Sequence, residues 1–300
     1  MQLNELLGIG NFMLVESSYV EQRWLAKTLD YMSKVKKADV AELLRIYDES
    51  SALIGIAIHD RELGFWIIFT DFIADQREKE EFNTLAADME GGRERDVEVS
   101  RKSFREGVIE FYSTSLVNRL FCDCDIKEES FYSRARIETL KKLLTIFIGE
   151  ALIGDTIEIG CGAGEATIAL HELGVFPITV DINKCEICRG LEEGVLEPRK
   201  SIVLDCSLLS SFFSREFDVV FGFMVGKLTP YEVFNWEKVL REVPKVLRVG
   251  GKVLFTVSSE EEVMILNDIL KNEFEGEIKE NKESNGYFDR WLYTGTLSED

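Results

Sequence analysis

Apolar positions in the first half of the chain recur every three or four residues, which is the period of an amphipathic helix. The segments with this spacing are Val20–Met32, Val40–Tyr47, Phe104–Leu120 and Ile137–Phe147. The dense apolar run Leu63–Ile73 fits the same interpretation as a buried helix. We therefore predict an α-helical N-terminal domain over residues 1–130.

After Gly149 the pattern changes, because short β-rich runs now alternate with helical segments. These runs are Thr156–Gly160, Pro177–Asp181, Ser201–Asp205, Phe217–Phe223 and Lys252–Val257. Such alternation favours βαβ units and a parallel sheet covered on both faces. Near the end, Asn285-Gly286 separates the strand-like segments Glu275–Glu280 and Tyr287–Thr294, and Asn-Gly is a strong hairpin signal. Residues 131–300 are thus expected to form an α/β domain whose parallel sheet ends in an antiparallel hairpin.

Charge and composition narrow the range of functions. The chain has 35 Lys and Arg against 55 Asp and Glu, a net charge of −20, and 45% hydrophobic residues. This composition supports a folded core, and the negative charge argues against binding to a phosphate backbone. No run approaches the about 20 apolar residues of a membrane span, and the first residues lack the cationic start of a secretory signal. We expect a cytoplasmic protein with six reduced cysteines.

The most informative segment is a strand that leads into a glycine-rich turn. Thr156–Ile159 is followed by Gly160-Cys161-Gly162-Ala163-Gly164, after which a helix is expected to begin. Glycines let a ligand approach the backbone, and a helix N-terminus offers free N–H donors. The dinucleotide fingerprint has glycine or alanine at its sixth position, where this chain has Glu165. This difference disfavours the alternative of a nicotinamide-dependent dehydrogenase.

Three acidic residues accompany three successive predicted strands. Glu158 lies inside the first strand, where a dehydrogenase is normally apolar. Asp181 ends the second strand, 21 positions after Gly160 (181 − 160), a spacing suited to binding ribose hydroxyls. Asp205 ends the third strand, where it can accept a hydrogen bond from an adenine amino group. Together these residues indicate an adenosine-containing ligand at the carboxyl ends of the strands.

At this point the chain, from about residue 130 to its end, resembles the class I S-adenosylmethionine-dependent methyltransferases. Glu158–Gly164 matches the first motif of that family, Phe217–Val220 its fourth strand, and Val246–Leu254 its helix end, glycine turn and fifth strand. The resemblance implies a Rossmann-like, mostly parallel sheet of seven strands with S-adenosylmethionine as the cofactor and S-adenosylhomocysteine as the product.

The resemblance also implies a set of cofactor-binding residues, which are Glu158, Gly160, Cys161, Gly162, Gly164, Asp181, Ile182, Asp205 and Cys206. In this set Glu158 helps to hold the methionine ammonium, and the glycine turn approaches the methionyl and ribose groups. Asp181 accepts hydrogen bonds from the ribose hydroxyls, and Ile182 packs on the adenine. Asp205 accepts a hydrogen bond from the adenine amino group, and the Cys206 N–H donates one to a ring nitrogen. The alternative role for Asp181 or Asp205 alone is a helix N-cap after a strand.

The methyl acceptor leaves no motif in the sequence. Methyl transfer from a sulfonium depends mostly on orientation, and a general base is needed only if the acceptor must lose a proton. The segment Phe221–Gly226 lacks the Asn-Pro-Pro-Tyr-like clamp of many nucleic-acid methyltransferases. We therefore expect a small-molecule acceptor, with a protein acceptor or a catalytically silent cofactor-binding scaffold as alternatives.

Other reactive side chains have ordinary structural interpretations. Four cysteines could supply zinc ligands or could be small buried hydrophobes, namely Cys122, Cys124, Cys185 and Cys188. The second interpretation is favoured, and no metal is predicted. His59 and His171 are predicted to be packing or surface residues.

Two features upstream of the first strand of the α/β domain remain open. Tyr132 and Arg136 either cover the methionyl end of the cofactor or belong to a solvated helix N-terminus. The N-terminal domain either caps the acceptor pocket or forms a homodimer interface. In the capping hypothesis the acceptor lies between that domain and the loop Phe223–Tyr231.

Overall fold

The computed structural model describes residues 2–15, 25–72, 76–118, 120, 132–149, 154–226, 228–229, 233–284 and 286–298. The chain divides into two compact units, Met1–Phe121 and Cys122–Asp300. The boundary expected between residues 130 and 131 lies outside the described residues.

The N-terminal unit contains a five-stranded mixed sheet. Its strands are β1 (Phe12–Val15), β2 (Val40–Tyr47), β3 (Leu53–Asp60), β4 (Trp66–Thr70) and β5 (Arg93–Glu98), in the order β1-β4-β3-β2-β5. The three central strands are antiparallel, and each edge strand is parallel to its neighbour. The helices described in this unit are α1 (Leu3–Leu7), α2 (Leu25–Lys34), α3 (Gln76–Asp88) and α4 (Arg101–Val117).

The prediction of an all-helical N-terminal domain is wrong. The segment Val40–Tyr47 is β2, and the predicted helix Leu63–Ile73 contains β4, with Ile73 outside the described residues. Every residue of β4 is buried, so its apolar run shows no alternation and cannot be told from a buried helix by periodicity. In β2 the register shifts between Val40 and Glu42, which interrupts the two-residue period and imitates helical spacing.

The C-terminal unit confirms the predicted α/β fold. Its strands are β6 (Thr156–Ile159), β7 (Ile178–Asp181), β8 (Ser201–Val203), β9 (Phe217–Phe223), β10 (Leu247–Val257), β11 (Phe274–Glu280) and β12 (Trp291–Leu297). They form one sheet in the order β11-β12-β10-β9-β6-β7-β8. β12 is antiparallel to both of its neighbours, and the pairs from β10 to β8 are parallel. The C-terminal hairpin is present, with its second strand beginning at Trp291 rather than Tyr287.

Helices lie between these strands. They are α5 (Arg134–Gly149), α6 (Glu165–Glu172), α7 (Lys184–Glu192), α8 (Leu209–Phe212), α9 (Val233–Leu240), α10 (Val243–Val246) and α11 (Glu260–Leu270). Leu140 and Leu144 of α5 share a core with Leu170 of α6 and Phe221 of β9. None of the helices in the described part of the chain has the length and apolarity to cross a bilayer.

The strand order reverses at β6, which positions a ligand site. The chain proceeds from β6 to β7 and β8 on one side, and then returns to β9 on the other side of β6. In an open α/β sheet such a reversal leaves a crevice beyond the carboxyl ends of the strands, where ligands bind. The glycine-rich turn after β6 lies at this position.

Candidate functional site

The glycine-rich turn is fixed by hydrogen bonds to the end of β7. The Gly160 and Cys161 N–H groups donate to the Val180 carbonyl at 2.8 and 3.2 Å, and the Gly162 N–H donates to Asp181 Oδ2 at 2.8 Å. Gly160 and Gly162 have φ values of +68° and +54°, which favour glycine, and a Cβ on either would meet open space. The turn therefore presents bare backbone to the crevice.

Gly164 serves packing instead. Its φ is +97°, and a Cβ there would lie 2.7 Å from Val195 Cγ1 and 2.8 Å from Leu196 Cδ2. Gly164 lines neither of the two cavities at the carboxyl ends of the strands. The close packing against Val195 and Leu196 explains a glycine at position 164 without any contact to a cofactor, so the cofactor-binding role of Gly164 stays a prediction.

Asp181 and Asp205 differ in their local roles. The Asp181 carboxylate accepts N–H groups from Gly162 and Asn183, and it is Asn183 that caps α7. Asp205 accepts the Ser207 N–H at 2.8 Å and caps the short turn that follows β8. The alternative role as a helix N-cap after a strand therefore applies to Asp205 and does not apply to Asp181.

A cavity of about 650 Å³ lies at the ends of β6, β7 and β8. Its lining combines the two aspartates with apolar groups from α9 and from the segment that follows β9. It consists of Ile159, Gly160, Asp181, Ile182, Asp205, Cys206, Ser207, Met224, Val225, Gly226, Asn235, Trp236, Lys238 and Val239. Ile182 is 65% exposed at this site. Trp236 was not predicted, since one tryptophan in a helical pattern carries no positional signal.

A second cavity of about 290 Å³ adjoins the first. The two share Gly160 and Met224, and the lining of the smaller cavity also includes Glu158, Cys161 and Gly162. The nine predicted cofactor residues thus fall on two neighbouring cavities, apart from Gly164. An elongated ligand can extend from one cavity into the other past Gly160.

Glu158 is a buried carboxyl group in the wall of the smaller cavity. It is 1% exposed and accepts a hydrogen bond from Thr167 Oγ1 at 2.7 Å. Burial raises the pKa of Glu158 to about 8, since the charged form is poorly solvated there. Burial likewise raises the pKa of the Cys161 and Cys206 thiols well above the usual range, so both remain protonated at neutral pH.

Arg136 lies beside the smaller cavity and joins three segments of the chain. Its Nε donates to Asp289 Oδ2 at 2.7 Å, and its Nη1 donates to Glu165 Oε2. The Thr256 hydroxyl donates to Asp289 Oδ1 at 2.6 Å and accepts the Met224 N–H at 2.9 Å. Because the Arg136 side chain is only 15% exposed, the alternative that it belongs to a solvated helix N-terminus is wrong.

Met224 and Asp289 have left-handed backbone conformations, with φ values of +53° and +54°. Non-glycine residues adopt this conformation at a cost, and such residues cluster at functional sites. Both are held by the Thr256 hydroxyl, and Met224 lies at the junction of the two cavities. The Thr256 hydroxyl thus helps to hold the strained backbone of Met224 at the junction of the two cavities.

The other candidate residues lie outside these cavities. His171 packs against Phe176 at 5.0 Å, and burial lowers the pKa of its imidazole. His59 packs edge-on against Trp66 in the N-terminal unit. Cys185 and Cys188 are free cysteines, whereas Cys122 and Cys124 lie outside the described residues. The described part of the chain contains no group of three or more His, Cys, Asp or Glu residues that could hold a metal ion.

Comparison with known proteins agrees with this geometry. Residues 157–255 match the family described as a methyltransferase domain. The sterol 4-C-methyltransferase strm-1 of Caenorhabditis elegans is 29% identical over 134 residues, covering 42% of this chain and 34% of that protein. The match therefore spans about a third of the length of this curated relative.

Solved structures are also similar to part of this chain. The PH0226 protein of Pyrococcus horikoshii OT3 is 23% identical, with 58% of this chain and 94% of that chain covered at a TM-score of 0.45. Magnesium protoporphyrin IX methyltransferase of Synechocystis PCC 6803, solved with bound S-adenosylmethionine, is 13% identical, with 67% and 98% covered at a TM-score of 0.43.

The matched residues begin inside β6 and end inside β10, so they contain the glycine-rich turn and both aspartates. Their sheet also has the predicted mostly parallel arrangement with an antiparallel strand near the C-terminus. Over residues 157–255 the chain is therefore similar to the family described as a methyltransferase domain, in agreement with the resemblance that the sequence motifs carry.

Proposed function

We propose that this protein transfers the methyl group of S-adenosylmethionine to a small molecule and releases S-adenosylhomocysteine. The observation that carries the proposal is the pair of adjoining cavities that meet at Gly160 and Met224. One cavity has two carboxylates beside apolar side chains, and the other has a buried carboxyl group. This division fits a ligand with a nucleoside at one end and an ammonium at the other.

The larger cavity suits the adenosine group. Asp181 lies at the end of β7, and its carboxylate retains free lone pairs for two ribose hydroxyls in addition to the two N–H groups it accepts. Ile182 offers an exposed aliphatic surface to the adenine. Asp205 and the Cys206 N–H are then the partners of the adenine edge.

The smaller cavity suits the methionyl group. An ammonium beside Glu158 favours the ionised carboxylate and offsets the burial that raises its pKa. The bare backbone at Gly160 and Gly162 lets the ligand chain pass closely. The Glu158 carboxyl group in the cavity wall is therefore our candidate partner for the ammonium.

The bound cofactor supplies an activated methyl group whose leaving thioether is neutral. The residues of this chain have to hold the acceptor in line with that methyl group and to exclude water. Met224 and Val225 provide apolar walls at the junction of the two cavities. We assign no general base, because an acceptor that is already nucleophilic requires none.

Two observations favour a small molecule as the acceptor. The net charge of −20 opposes binding to nucleic acid, whose affinity comes largely from cationic contacts with phosphates. The curated relative is by its name a sterol methyltransferase, which acts on a small molecule. A protein acceptor is the second possibility, and the following experiment separates the two.

The test has two steps. Calorimetry with S-adenosylmethionine, S-adenosylhomocysteine and NAD should show binding of both adenosyl ligands and none of NAD. The protein is then incubated with methyl-labelled S-adenosylmethionine and a cell extract fractionated by size. Label in the acid-soluble small-molecule fraction supports the proposal, whereas label in precipitated protein, or binding of NAD alone, contradicts it.

A further inference from the structure

The strand β11 forms one edge of the sheet in the C-terminal unit. It pairs with β12 on one side, and no strand in the described part of the chain pairs with its other side. An edge strand presents a row of backbone N–H and C=O groups with which a further strand can pair. The open edge of β11 is therefore a surface on which a second strand could dock.

The hydrogen bonds that flank β11 show which of its backbone groups face this edge. The Ser298 N–H donates to the Glu273 carbonyl at 2.9 Å, and the Asn281 N–H donates to the Arg290 carbonyl at 2.7 Å. The register between β11 and β12 is constant, and the direction of the backbone groups alternates along an antiparallel strand. The odd-numbered residues of β11 therefore bond to β12. The even-numbered residues direct their N–H and C=O groups towards the open edge, and these are Phe274, Gly276, Ile278 and Glu280.

Charged side chains of both signs line one face of β11. Glu275, Glu277 and Lys279 share this face, because alternate residues of a strand point to the same side, and all three line a cavity of about 500 Å³ beside α5. Lys279 Nζ lies 2.7 Å from Glu277 Oε2, and both side chains are more than half exposed. The order of charges along the face is therefore negative, negative and positive, and these charges are accessible to a partner strand.

This order of charges selects one register for the pairing of two copies of β11 about a two-fold axis. Because only even-numbered residues face the edge, they must pair with each other, so the axis passes through one of the positions 276 to 280. Like charges directly opposite each other are unfavourable. An axis at position 276 places Glu275 opposite Glu277, and an axis at a charged residue (277, 279 or 280) places that residue opposite its own copy. Only an axis at Ile278 places Glu277 of each copy opposite Lys279 of the other, with no like charges directly opposite.

We propose that two copies of this chain form a homodimer by antiparallel pairing of their β11 edges about a two-fold axis at Ile278. The two sheets then form one continuous sheet. Glu277 and Lys279 of both copies meet on one face as four charges of alternating sign, and the two Ile278 side chains lie opposite each other on the other face. β11 contributes no residue to the two adjoining cavities, so the dimer leaves both of them open and does not depend on the proposed function.

The test reverses these charges singly and then together, with the dimer Kd measured by analytical ultracentrifugation of the full chain. The wild type should sediment with twice the mass of one chain. Lys279→Glu and Glu277→Lys each create two pairs of like charges, so each should raise the dimer Kd about tenfold or more. The double variant restores opposite charges and should dimerise again. An equimolar mixture of the two single variants should form a heterodimer, because each chain then faces only the opposite sign.

Lys37→Glu is the matched control. Lys37 also forms an exposed ion pair, with Glu90 Oε2 at 2.7 Å, and it belongs to the unit Met1–Phe121. Its reversal changes the net charge by the same amount as Lys279→Glu and should leave the dimer Kd unchanged. Circular dichroism of each variant checks that it is folded.

A cross-link tests the register itself. At the proposed axis the Cα atoms of the two copies of residue 278 are about 5.5 Å apart, which is within the range of a disulfide. Under mild oxidation Ile278→Cys should therefore give a disulfide-linked dimer. Glu280→Cys, which lies opposite Gly276 of the other copy, should not exceed the background that the native cysteines give in the wild type.

Three results would overturn the proposal. A wild-type protein that is monomeric at every concentration tested would show that the charges protect the edge from pairing. A dimer that persists in both single variants would show that the copies meet at another surface. Loss of the dimer in the single variants without its return in the double variant would show that Glu277 and Lys279 do not face each other across the axis.

Discussion

Glu158 shows how the environment of one residue can prepare a site for a cation. The side chain is almost fully buried and receives a hydrogen bond from Thr167, yet its pKa is raised to about 8. At pH 7 the free protein therefore holds a proton on this group, whereas an unfolded chain with an ordinary glutamate does not. The proton has to leave before the carboxylate can pair with an ammonium.

This linkage predicts a pH-dependent affinity. A ligand that binds the ionised form should bind more tightly as the pH rises from 6 towards 8, by at most about tenfold per pH unit, and the increase should level off above 8. Calorimetry with S-adenosylhomocysteine at pH 7, in buffers of different ionisation enthalpy, should detect release of close to one proton. Glu158→Gln should remove this release, and a wild-type protein with no proton release would contradict the role of Glu158.

The same shift predicts the effect of pH on folding. The folded-state pKa of Glu158 lies above its ordinary value of 4.5, so the folded state binds the proton more tightly than the unfolded state does. The stability that this group provides is complete below pH 4.5 and is lost as the pH rises through 8. Denaturant titrations should therefore show Glu158→Gln becoming more stable relative to the wild type between pH 6 and 9. A constant difference over that range would refute the raised pKa.

Asp181 and Asp205 should contribute unequally to cofactor binding. Asp181→Ala removes two charge-assisted hydrogen bonds to the ribose, at roughly 1.5–3 kcal/mol each before compensation by water, and also releases the Gly162 N–H. Asp205→Ala should cost less, since the adenine retains its apolar contacts. Calorimetry on both variants tests this order. A folded Asp181→Ala protein with wild-type affinity for S-adenosylmethionine would show that Asp181 does not bind the ribose.

At the scale of elements, the glycine-rich turn depends on close packing against the segment after α7. Gly164→Ala adds a Cβ that would overlap Val195 and Leu196 and adopt an unfavourable φ, so we expect a loss of about 2–5 kcal/mol in the free energy of unfolding. Gly174→Ala is the matched control, because its φ is +78° and its Cβ would meet open space. The control should lose about 1 kcal/mol. Equal losses in denaturant titrations would contradict the packing role.

The Arg136–Asp289 pair connects elements that are 153 residues apart in the chain. Asp289→Ala leaves the guanidinium of Arg136 with one of its two partners removed in a buried position, so a loss of roughly 3–5 kcal/mol is expected. Asp268→Ala, which breaks the exposed pair with Lys271, should change the stability by less than about 1 kcal/mol. Similar small changes in both variants would show that the Arg136 network is not a structural link.

The residues that could be predicted from the sequence are those on contiguous motifs. Glu158 lies within one strand pattern, and Asp181 and Asp205 lie at or just after the ends of two others, so their positions are visible without any coordinates. Trp236, Arg189 and Asp289 come from separate helices and a loop, and only the folded chain brings them to the cavities or to Arg136. Full burial removes the alternation that identifies a strand in β4, and the register shift interrupts it in β2, so neither strand is visible in the sequence pattern.

At the scale of the whole molecule, the chain has one unit that includes the match to a methyltransferase domain and a second unit of mixed α/β structure. The role of the unit Met1–Phe121, as a cap over the acceptor or as a dimer interface, stays a prediction. The net charge of −20 belongs to the entire chain and makes a nucleic-acid substrate unfavourable.

The central claim is that the two adjoining cavities hold one cofactor in a defined direction. A crystal structure of the full chain with S-adenosylhomocysteine tests this most directly. The account predicts ribose hydroxyls on the Asp181 carboxylate, adenine against Ile182 and Asp205, and the ammonium within hydrogen-bonding distance of Glu158. A ligand bound in the reverse direction, or bound outside these two cavities, would contradict it.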